Sequence, residues 1–500
     1  MSRNRFLFIL TIIIAVALRF IFLGWKPPHF DESINGWFVM QVWDKGYYNY
    51  DPNNFHGPLY FYYLQLFELL FGRSVEVMRA ATGLLSLGCI FLVLAHRRFV
   101  GKVAYWAAIF ITISPAFVFY SRYAIHETLF ILAQLLFSYG FWSWRENRNW
   151  IAYGQMVLSI LILATTKETF FIFLGTWAIA ISVLSTVQRL LKHPVDKPSK
   201  VTLSKAEIYR MVQVSLLAVL ILYGLFSNLF ADPKAFKEFF DAFAIWSKTG
   251  SGKSGHEKPF VYWIYILGRY EWPILLALVL TPFVTLCKGN SQLRVFALIG
   301  FGTWLAYSII PYKTPWLVMG ILWPLAFVIG WTLEKIREKF PSKVLLAIVA
   351  LVLVSPIVQT LRLNFVEYTN DKEPYVYVQS TKDIKVLMDL VNLQIARSPA
   401  DFNMRLEVMT DEGWPFPWIF GRFPNLHFMP FANVEDERVR TADVILYDSK
   451  NSVAIEEKLQ SKYYRLPLQL RSAYGPGFAL FKASMFDGLI SKDAEVKGKQ

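Results

Sequence analysis

Eleven runs of apolar residues, parted by short charged stretches, set the pattern of the first 361 positions. They fall near 6–24, 77–95, 103–121, 128–144, 151–166, 169–187, 211–231, 270–286, 294–311, 316–333 and 343–361. Their lengths are those of membrane helices, which need roughly 17–25 residues to cross a hydrocarbon core of about 30 Å. A twelfth apolar stretch, 58–72 (PLYFYYLQLFELLFG), is shorter and interrupted by Gln65 and Glu68. Its Tyr and Phe suit a helix lying at the membrane interface.

Charge supports that count. With the N-terminus inside, the inner segments are 1–5, 96–102, 145–150, 188–210, 287–294 and 334–343. They hold 19 Lys and Arg against 5 acids, the bias of cytoplasmic loops. Counting 58–72 as a full span would turn QRLLKH and EKIREKFPSK outward. Arg3 and Arg5 precede the first run as in a secretory signal, but no small-x-small cleavage site precedes Trp25, so an uncleaved first span is expected. These readings place the chain in the plasma (inner) membrane, with a cytoplasmic N-terminus and an extracytoplasmic C-terminus.

After Leu361 the pattern changes. Apolar strand-like runs at 375–380 (YVYVQS), 405–410 (RLEVMT), 443–448 (DVILYD) and 478–483 (FALFKA) alternate with helix-like stretches near 381–396 and 452–462. That alternation predicts a small α/β domain over 362–486, outside the membrane. The last residues, 487–500, are polar and read as a frayed tail.

Composition agrees. The chain has 500 residues, 55% of them hydrophobic, with mean hydropathy +0.37. The net charge of +14 raises the question of nucleic acid, but the cations sit in short loops between apolar runs, so no nucleic-acid partner is expected. Cys89 and Cys287 lie in or beside apolar runs and imply neither a disulfide framework nor a zinc motif.

On this topology six polar clusters share the outer face. Asp31-Glu32, with His29, follows the first span. His56-Gly57-Pro58 opens the interfacial helix. SRYAIHE carries Arg122, His126 and Glu127, and TTKE carries Lys167 and Glu168. The loop 232–262 ends in GHEKP with His256, Glu257 and Lys258, and PYKTPW holds Tyr312 and Lys313. Arg122 and Lys167 also suit helix ends at headgroup level. Adjacent carboxylates at a membrane exit are costly and usually serve a task.

Together they describe a site for a lipid-linked anionic substrate with an acid–base step. The phosphate of a polyprenyl-phosphate sugar needs cations, for which Arg122, Lys167 and Lys313, with Tyr312 beside it, are the candidates. Transfer to a hydroxyl needs a base to take the proton as the acceptor attacks C1, and a carboxylate suits that role. No Gly-rich phosphate loop points to a soluble nucleotide donor.

At these residues the chain resembles the GT-C superfamily of polytopic glycosyltransferases, in its protein-mannosyltransferase and aminoarabinose-transferase (glycosyltransferase 39-like) branch. HFDESINGWF resembles that branch's Asp-Glu signature in the first outer loop, and SRYAIHE and TTKE resemble its later motifs. HGPLYFYY, RYAIHE, YKTPW, EPYVYVQST and DEGWPFPWIF are similar to an archaeal and bacterial group described as flippase activity-associated. The resemblance runs over nearly the whole chain. It implies an α-helical polytopic membrane protein with about 11 transmembrane helices over 1–361, whose outer loops are 25–76 and 232–262. It also implies a small extracytoplasmic α/β domain.

The resemblance implies transfer of a sugar from a polyprenyl-phosphate-linked donor to a protein, lipid or glycan acceptor. Asp31 would be the base or would orient the acceptor, with Glu32 assisting and Glu127 as a second acid. Arg122 and Lys167 would hold the donor phosphate. Relatives in the wider superfamily bind a divalent metal such as Mg or Mn through outer-loop acids and a His. Asp31, Glu127, His256 and Glu257 are the candidates here, with His56 and His126 as further substrate or metal contacts, although no tight ligand spacing supports a metal site. Trp414 and Trp418 suit either stacking on a sugar ring or core packing. The alternative reading is a flippase, or a flippase-associated protein, for lipid-linked sugars.

Overall fold

The structure, a computed structural model, describes residues 3–54, 56–193, 202–251, 255–430, 436–471 and 475–497. Residues 252–254 of the predicted outer loop 232–262 therefore lie outside the described residues. The chain divides into two compact units: Met1–Leu23 with Gln41–Glu367, and Gly24–Met40 with Tyr368–Gln500.

The first unit is helical. A helix covers each of the eleven apolar runs. Among the described residues, five helices are long and apolar enough to cross a bilayer, or six if the bent pair described below is one span. The chain is a multi-pass membrane protein. The helices follow ordinary capping rules. Ser74 accepts from Val77 N at the start of Val75–Ala95, and Ser204 and Glu207 form a capping box before Lys205–Phe226. Val318–Lys339 is apolar around its circumference and is buried on all sides from Val318 to Gly330, the pattern of a central helix. Lys205–Phe226 instead exposes Leu216, Leu217, Val219 and Leu220, the surface a lipid would cover.

The run 103–121 is not one straight helix. It breaks at Ser114 into α1 (Val103–Ile113) and α2 (Pro115–Ser121), bent by 58°. Pro115 has no N–H and its ring clashes with a continuing helix. In a bilayer the freed backbone groups must find partners within the protein, and here they do. The carbonyls of Thr112 and Ile111 accept from the Arg19 guanidinium at 3.1 and 3.3 Å, and the Ile113 carbonyl accepts from Thr360 Oγ1 at 2.6 Å. On the other side of the break, Ala116 N donates to Glu271 Oε1 (2.9 Å), as does Ser114 Oγ (2.7 Å), while Phe117 N donates to Ser114 Oγ (3.4 Å).

One further expectation changes, and one is matched. The stretch 232–262 is not an open loop: it holds a 3-10 turn, Pro233–Ala235, and the helix Phe236–Ser251. Phe239 of that helix packs against Phe226, tilted at 4.5 Å, and meets Phe243 edge-on at 5.2 Å. Leu59–Phe71 has 13 residues, about 20 Å of helix and too short to span a ~30 Å core.

The second unit is built on a six-stranded mixed sheet: β1 (Leu406–Met409), β2 (Leu426–Phe428), β3 (Val444–Asp448), β4 (Lys462–Leu468), β5 (Gly477–Lys482) and β6 (Glu495–Lys497), in the order β2-β1-β3-β5-β4-β6. β1 runs parallel to β2 and β3, whereas β5 is antiparallel to both β3 and β4. Both faces are covered. Val444 and Leu446 pack with Ile384, Leu387 and Val391 of the helix Lys382–Arg397, and Ile445 and Tyr447 pack with Val439 and Ile455. A strand buried on both faces reads as an unbroken apolar run, which is why DVILYD stood out.

Other parts of this unit differ from expectation. YVYVQS forms no strand: Pro374 starts a 3-10 turn through Val376, and Val378 has φ +50°, outside the strand region. The expected helix over 452–462 stops at Glu456, and β4 follows it. The expected frayed tail instead supplies β6, where Val496 pairs with Tyr463 and Lys462 bridges Glu495 at 2.9 Å.

Arg19→Leu removes the donors for two buried carbonyls at the break in 103–121, and each acceptor left alone costs about 1–3 kcal/mol. The variant's unfolding midpoint in detergent is expected to drop by the equivalent of roughly 2–4 kcal/mol. Wild-type stability would remove Arg19 from this role.

Candidate functional site

The Asp-Glu pair occupies the first turn of the helix Phe30–Lys45, within the second unit. The two acids are not equivalent. Glu32 is fully buried and its Oε2 accepts from His29 N at 3.1 Å, half of a capping box that starts the helix. Ser33 Oγ donates to the His29 carbonyl at 2.8 Å. His29 is buried, and its Nε2–H donates to the Tyr377 carbonyl at 2.6 Å while Nδ1 accepts from Asp31 N at 3.2 Å. That bonding selects the neutral tautomer with its proton on Nε2. Asp31 keeps 32% of its side chain exposed, so its carboxylate is the one that solvent or substrate can reach.

In the first unit three of the predicted clusters meet. The HGP motif docks on TTKE through the backbone: Gly57 N donates to the Thr166 carbonyl (3.1 Å) and Leu59 N to that of Thr165 (3.0 Å). A Cβ on Gly57 would stand 2.2 Å from the Thr165 carbonyl oxygen, so only glycine permits this approach. The docking sets His56 Nδ1 3.2 Å from Glu168 Oε2 and its ring 4.6 Å from that of His126. Tyr60 and Phe61 close over His126 at 4.6 and 5.1 Å. His126 Nε2 makes no hydrogen bond among the described residues, an uncommon state for a buried polar atom. Burial, with His56 and Lys167 nearby, holds the His126 imidazole well below the ordinary histidine value. Beside it Lys167 Nζ grips both oxygens of Glu127, at 2.7 and 2.9 Å.

The fifth and sixth clusters also join. Glu257 and Tyr312 form an antiparallel bridge, and Lys313 N donates to the His256 carbonyl at 3.1 Å. The His256 and Tyr312 rings lie 5.1 Å apart. Lys313 is buried and donates through Nζ to the carbonyls of Lys258 (3.0 Å) and Ile310 (2.5 Å).

Arg122 stands apart from these groups. Its guanidinium donates to the carbonyls of Leu18, Ile21 and Phe22 at 3.1, 2.7 and 3.2 Å and covers the ring of Phe365. Arg122 and Lys313 thus rest on neutral carbonyl oxygens, while Lys167 is paired with Glu127. Burial first, and then the neighbouring Arg79, lower the Arg122 pKa, and Arg79 itself donates to the Leu23 carbonyl at 2.6 Å.

The two tryptophans differ. Trp418 is buried, with its indole against Gly36, where a Cβ would come within 2.3 Å of the ring. It is a packing residue of the second unit. Trp414 is half-buried and meets Phe30 and Trp37 edge-on at 6.4 and 6.0 Å.

Arg19, Arg79 and Glu271 escaped the sequence reading, although ionisable residues within or bordering apolar runs were a usable signal. The metal expectation does not fit this arrangement. Among the described residues no three His, Cys, Asp or Glu side chains gather closely enough to hold an ion, and Glu127 has both oxygens on Lys167.

No protein-family profile matches the chain, and no curated protein matches it in sequence. Solved structures do match. ArnT from Cupriavidus metallidurans bound to undecaprenyl phosphate superposes with a TM-score of 0.64 at 12% identity, over 97% of this chain and 99% of that one. Its apo state gives the same values. The chain has the GT-C fold. The Archaeoglobus fulgidus oligosaccharyltransferase tethered with an acceptor peptide is also similar, with a TM-score of 0.53 at 10% identity over 96% of this chain and 74% of that one.

Within this GT-C scaffold the Lys167–Glu127 pair invites a double-mutant cycle. Lys167→Met strands a buried carboxylate and is expected to cost about 3–5 kcal/mol, and adding Glu127→Gln should restore most of the lost thermal stability. A double variant no better than Lys167→Met would show that the two residues are not coupled.

The His126 shift has a definite sign. A group whose folded pKa is depressed leaves the unfolded chain to bind the extra proton, so stability is lost as pH falls below the unfolded value of about 6.5. The melting temperature of purified protein should decline from pH 7 to pH 5, and His126→Gln should flatten that decline. Equal slopes for the two proteins would exclude His126 as the source.

Proposed function

We propose that this protein is a membrane glycosyltransferase that moves a sugar from a polyprenyl-phosphate-linked donor to an acceptor on the outer face of the membrane. The observation that carries this reading is the GT-C fold shared end to end with a structure that holds undecaprenyl phosphate. Three features of the chain support it: a reachable carboxylate at Asp31, two buried cations resting on neutral carbonyls, and a buried imidazole with an unpaired nitrogen.

In this reading Asp31 takes the proton of the acceptor hydroxyl as its oxygen attacks C1. The bond between C1 and the phosphate oxygen breaks, and the polyprenyl phosphate leaves. Glu32 holds the helix that carries Asp31. Arg122 and Lys313 supply uncompensated positive charge for the donor phosphate, with the Tyr312 hydroxyl as a further donor. Lys167 and Glu127 brace the His56–His126 cluster, and a substrate hydroxyl would reach the buried His126 Nε2 only if Tyr60 and Phe61 moved aside. Stable position in the plasma membrane, with the C-terminal domain outside, belongs to the same proposal and draws on the charge bias of the loops.

The flippase reading draws on the broken span 103–121, since transporters use discontinuous helices, commonly in paired repeats. Among the described residues one such bent pair occurs, and the first reading is preferred.

A deletion strain should accumulate the lipid-linked donor and lack its glycan product, as read by mass spectrometry of envelope glycans and lipids. Asp31→Asn, expressed at wild-type level, should fail to complement, with transfer reduced at least ~100-fold. Full complementation by Asp31→Asn would sink the role of this carboxylate.

A further inference from the structure

The second unit contains a crevice that the transfer chemistry leaves unused. It has a volume of about 160 Å³, room for roughly five waters at about 30 Å³ each and hence for one small ring. It opens at the carboxyl ends of β1 and β3. From β1 the chain continues to β2 on one side, and from β3 it continues to β4 on the other. Adjacent parallel strands whose connections leave in opposite directions form a topological switch point, the usual place for a ligand in an open α/β sheet.

The lining has a definite chemistry. Asp411 follows β1; Asp448 ends β3 and Lys450 lies just beyond it, while Leu468 and Leu470 supply an apolar wall. Asp411 N donates to Asp448 Oδ2 at 2.8 Å, which ties the two loops together, and Lys450 Nζ meets Asp411 Oδ2 at 2.5 Å. Glu412 is spent elsewhere: it accepts from Arg471 at 2.8 Å and from Trp414 N at 3.2 Å. The crevice thus offers two carboxylates and one ammonium beside an aliphatic surface. Carboxylates accept from adjacent hydroxyls, the ammonium donates, and the aliphatic wall suits the C–H face of a ring. The excess of negative charge disfavours phosphates and uronic acids.

We infer that this crevice binds one uncharged sugar ring. Its assignment to the acceptor glycan rests on the transferase reading, but the binding itself does not. The crevice recognises a ring already present in the acceptor and holds it through residues other than those that perform transfer.

The test uses full-length protein in nanodiscs and saturation-transfer NMR. The probes are methyl α-D-mannopyranoside, methyl β-D-glucopyranoside and methyl α-D-galactopyranoside, with methyl β-D-glucuronide as the anionic control. At least one uncharged glycoside should receive saturation, and the glucuronide should receive at least fivefold less. Asp411→Ala with Lys450→Ala should cut the signal at least fivefold. Both side chains are more than half exposed, and an unchanged melting temperature checks the fold. Asp31→Asn should bind the probe as wild type does, so loss of transfer and loss of sugar binding separate. No signal from any uncharged glycoside, an undiminished signal in the double variant, or equal saturation of the glucuronide overturns the inference.

Discussion

A bilayer offers no hydrogen bonds to an interrupted backbone, and the helical unit is arranged around one interruption. Pro115 breaks the run 103–121 and releases carbonyls on one side and amides on the other. Arg19 and Thr360 take the carbonyls, while Glu271 and Ser114 take the amides. Four separate parts of the sequence thereby meet at one place. The two ionisable side chains here, Arg19 and Glu271, are held by backbone need, so their presence is no argument for ion transport.

The same distinction sorts the remaining charges. Lys167 and Glu127 neutralise each other and act as a brace. Arg122 and Lys313 are anchored by neutral carbonyls and so remain sources of positive potential. Within the Asp-Glu pair, Glu32 is buried in starting its helix, whereas Asp31 keeps about a third of its side chain exposed. Burial and partner identity, more than residue type, separate the groups that hold the fold from those that can meet a substrate.

Much of this was legible in the sequence. Apolar period and length located a helix at each of the eleven runs, and DVILYD, RLEVMT and FALFKA located three central strands, because a strand covered on both faces is uniformly apolar. The edge strands were not legible. LHF and EVK are three residues long, and the interior strand Lys462–Leu468 was missed as well, its pattern broken by Arg465 and Pro467. Their pairing is decided by neighbours, not by their own composition. The polar clusters were visible one at a time. Their grouping was not, since the docking of Gly57 on Thr165 and the ladder between Glu257 and Tyr312 join residues far apart in the chain. The helix Phe236–Ser251 was missed because its aromatic residues are interleaved with Lys, Glu and Asp, which reads as a loop when only long apolar runs are sought.

The interruption at Pro115 also orders biosynthesis. Arg19 leaves the ribosome before the break, but Glu271 follows Ala116 by 155 residues and Thr360 follows Ile113 by 247. The kinked segment therefore enters the insertion machinery with the Ala116 amide and the Ile113 carbonyl still wanting partners. It must be sheltered by water or by the translocon until the downstream helices arrive. Maturation of this bundle is thus paced by its late helices, and truncations that remove them strand an early segment rather than merely shortening the protein.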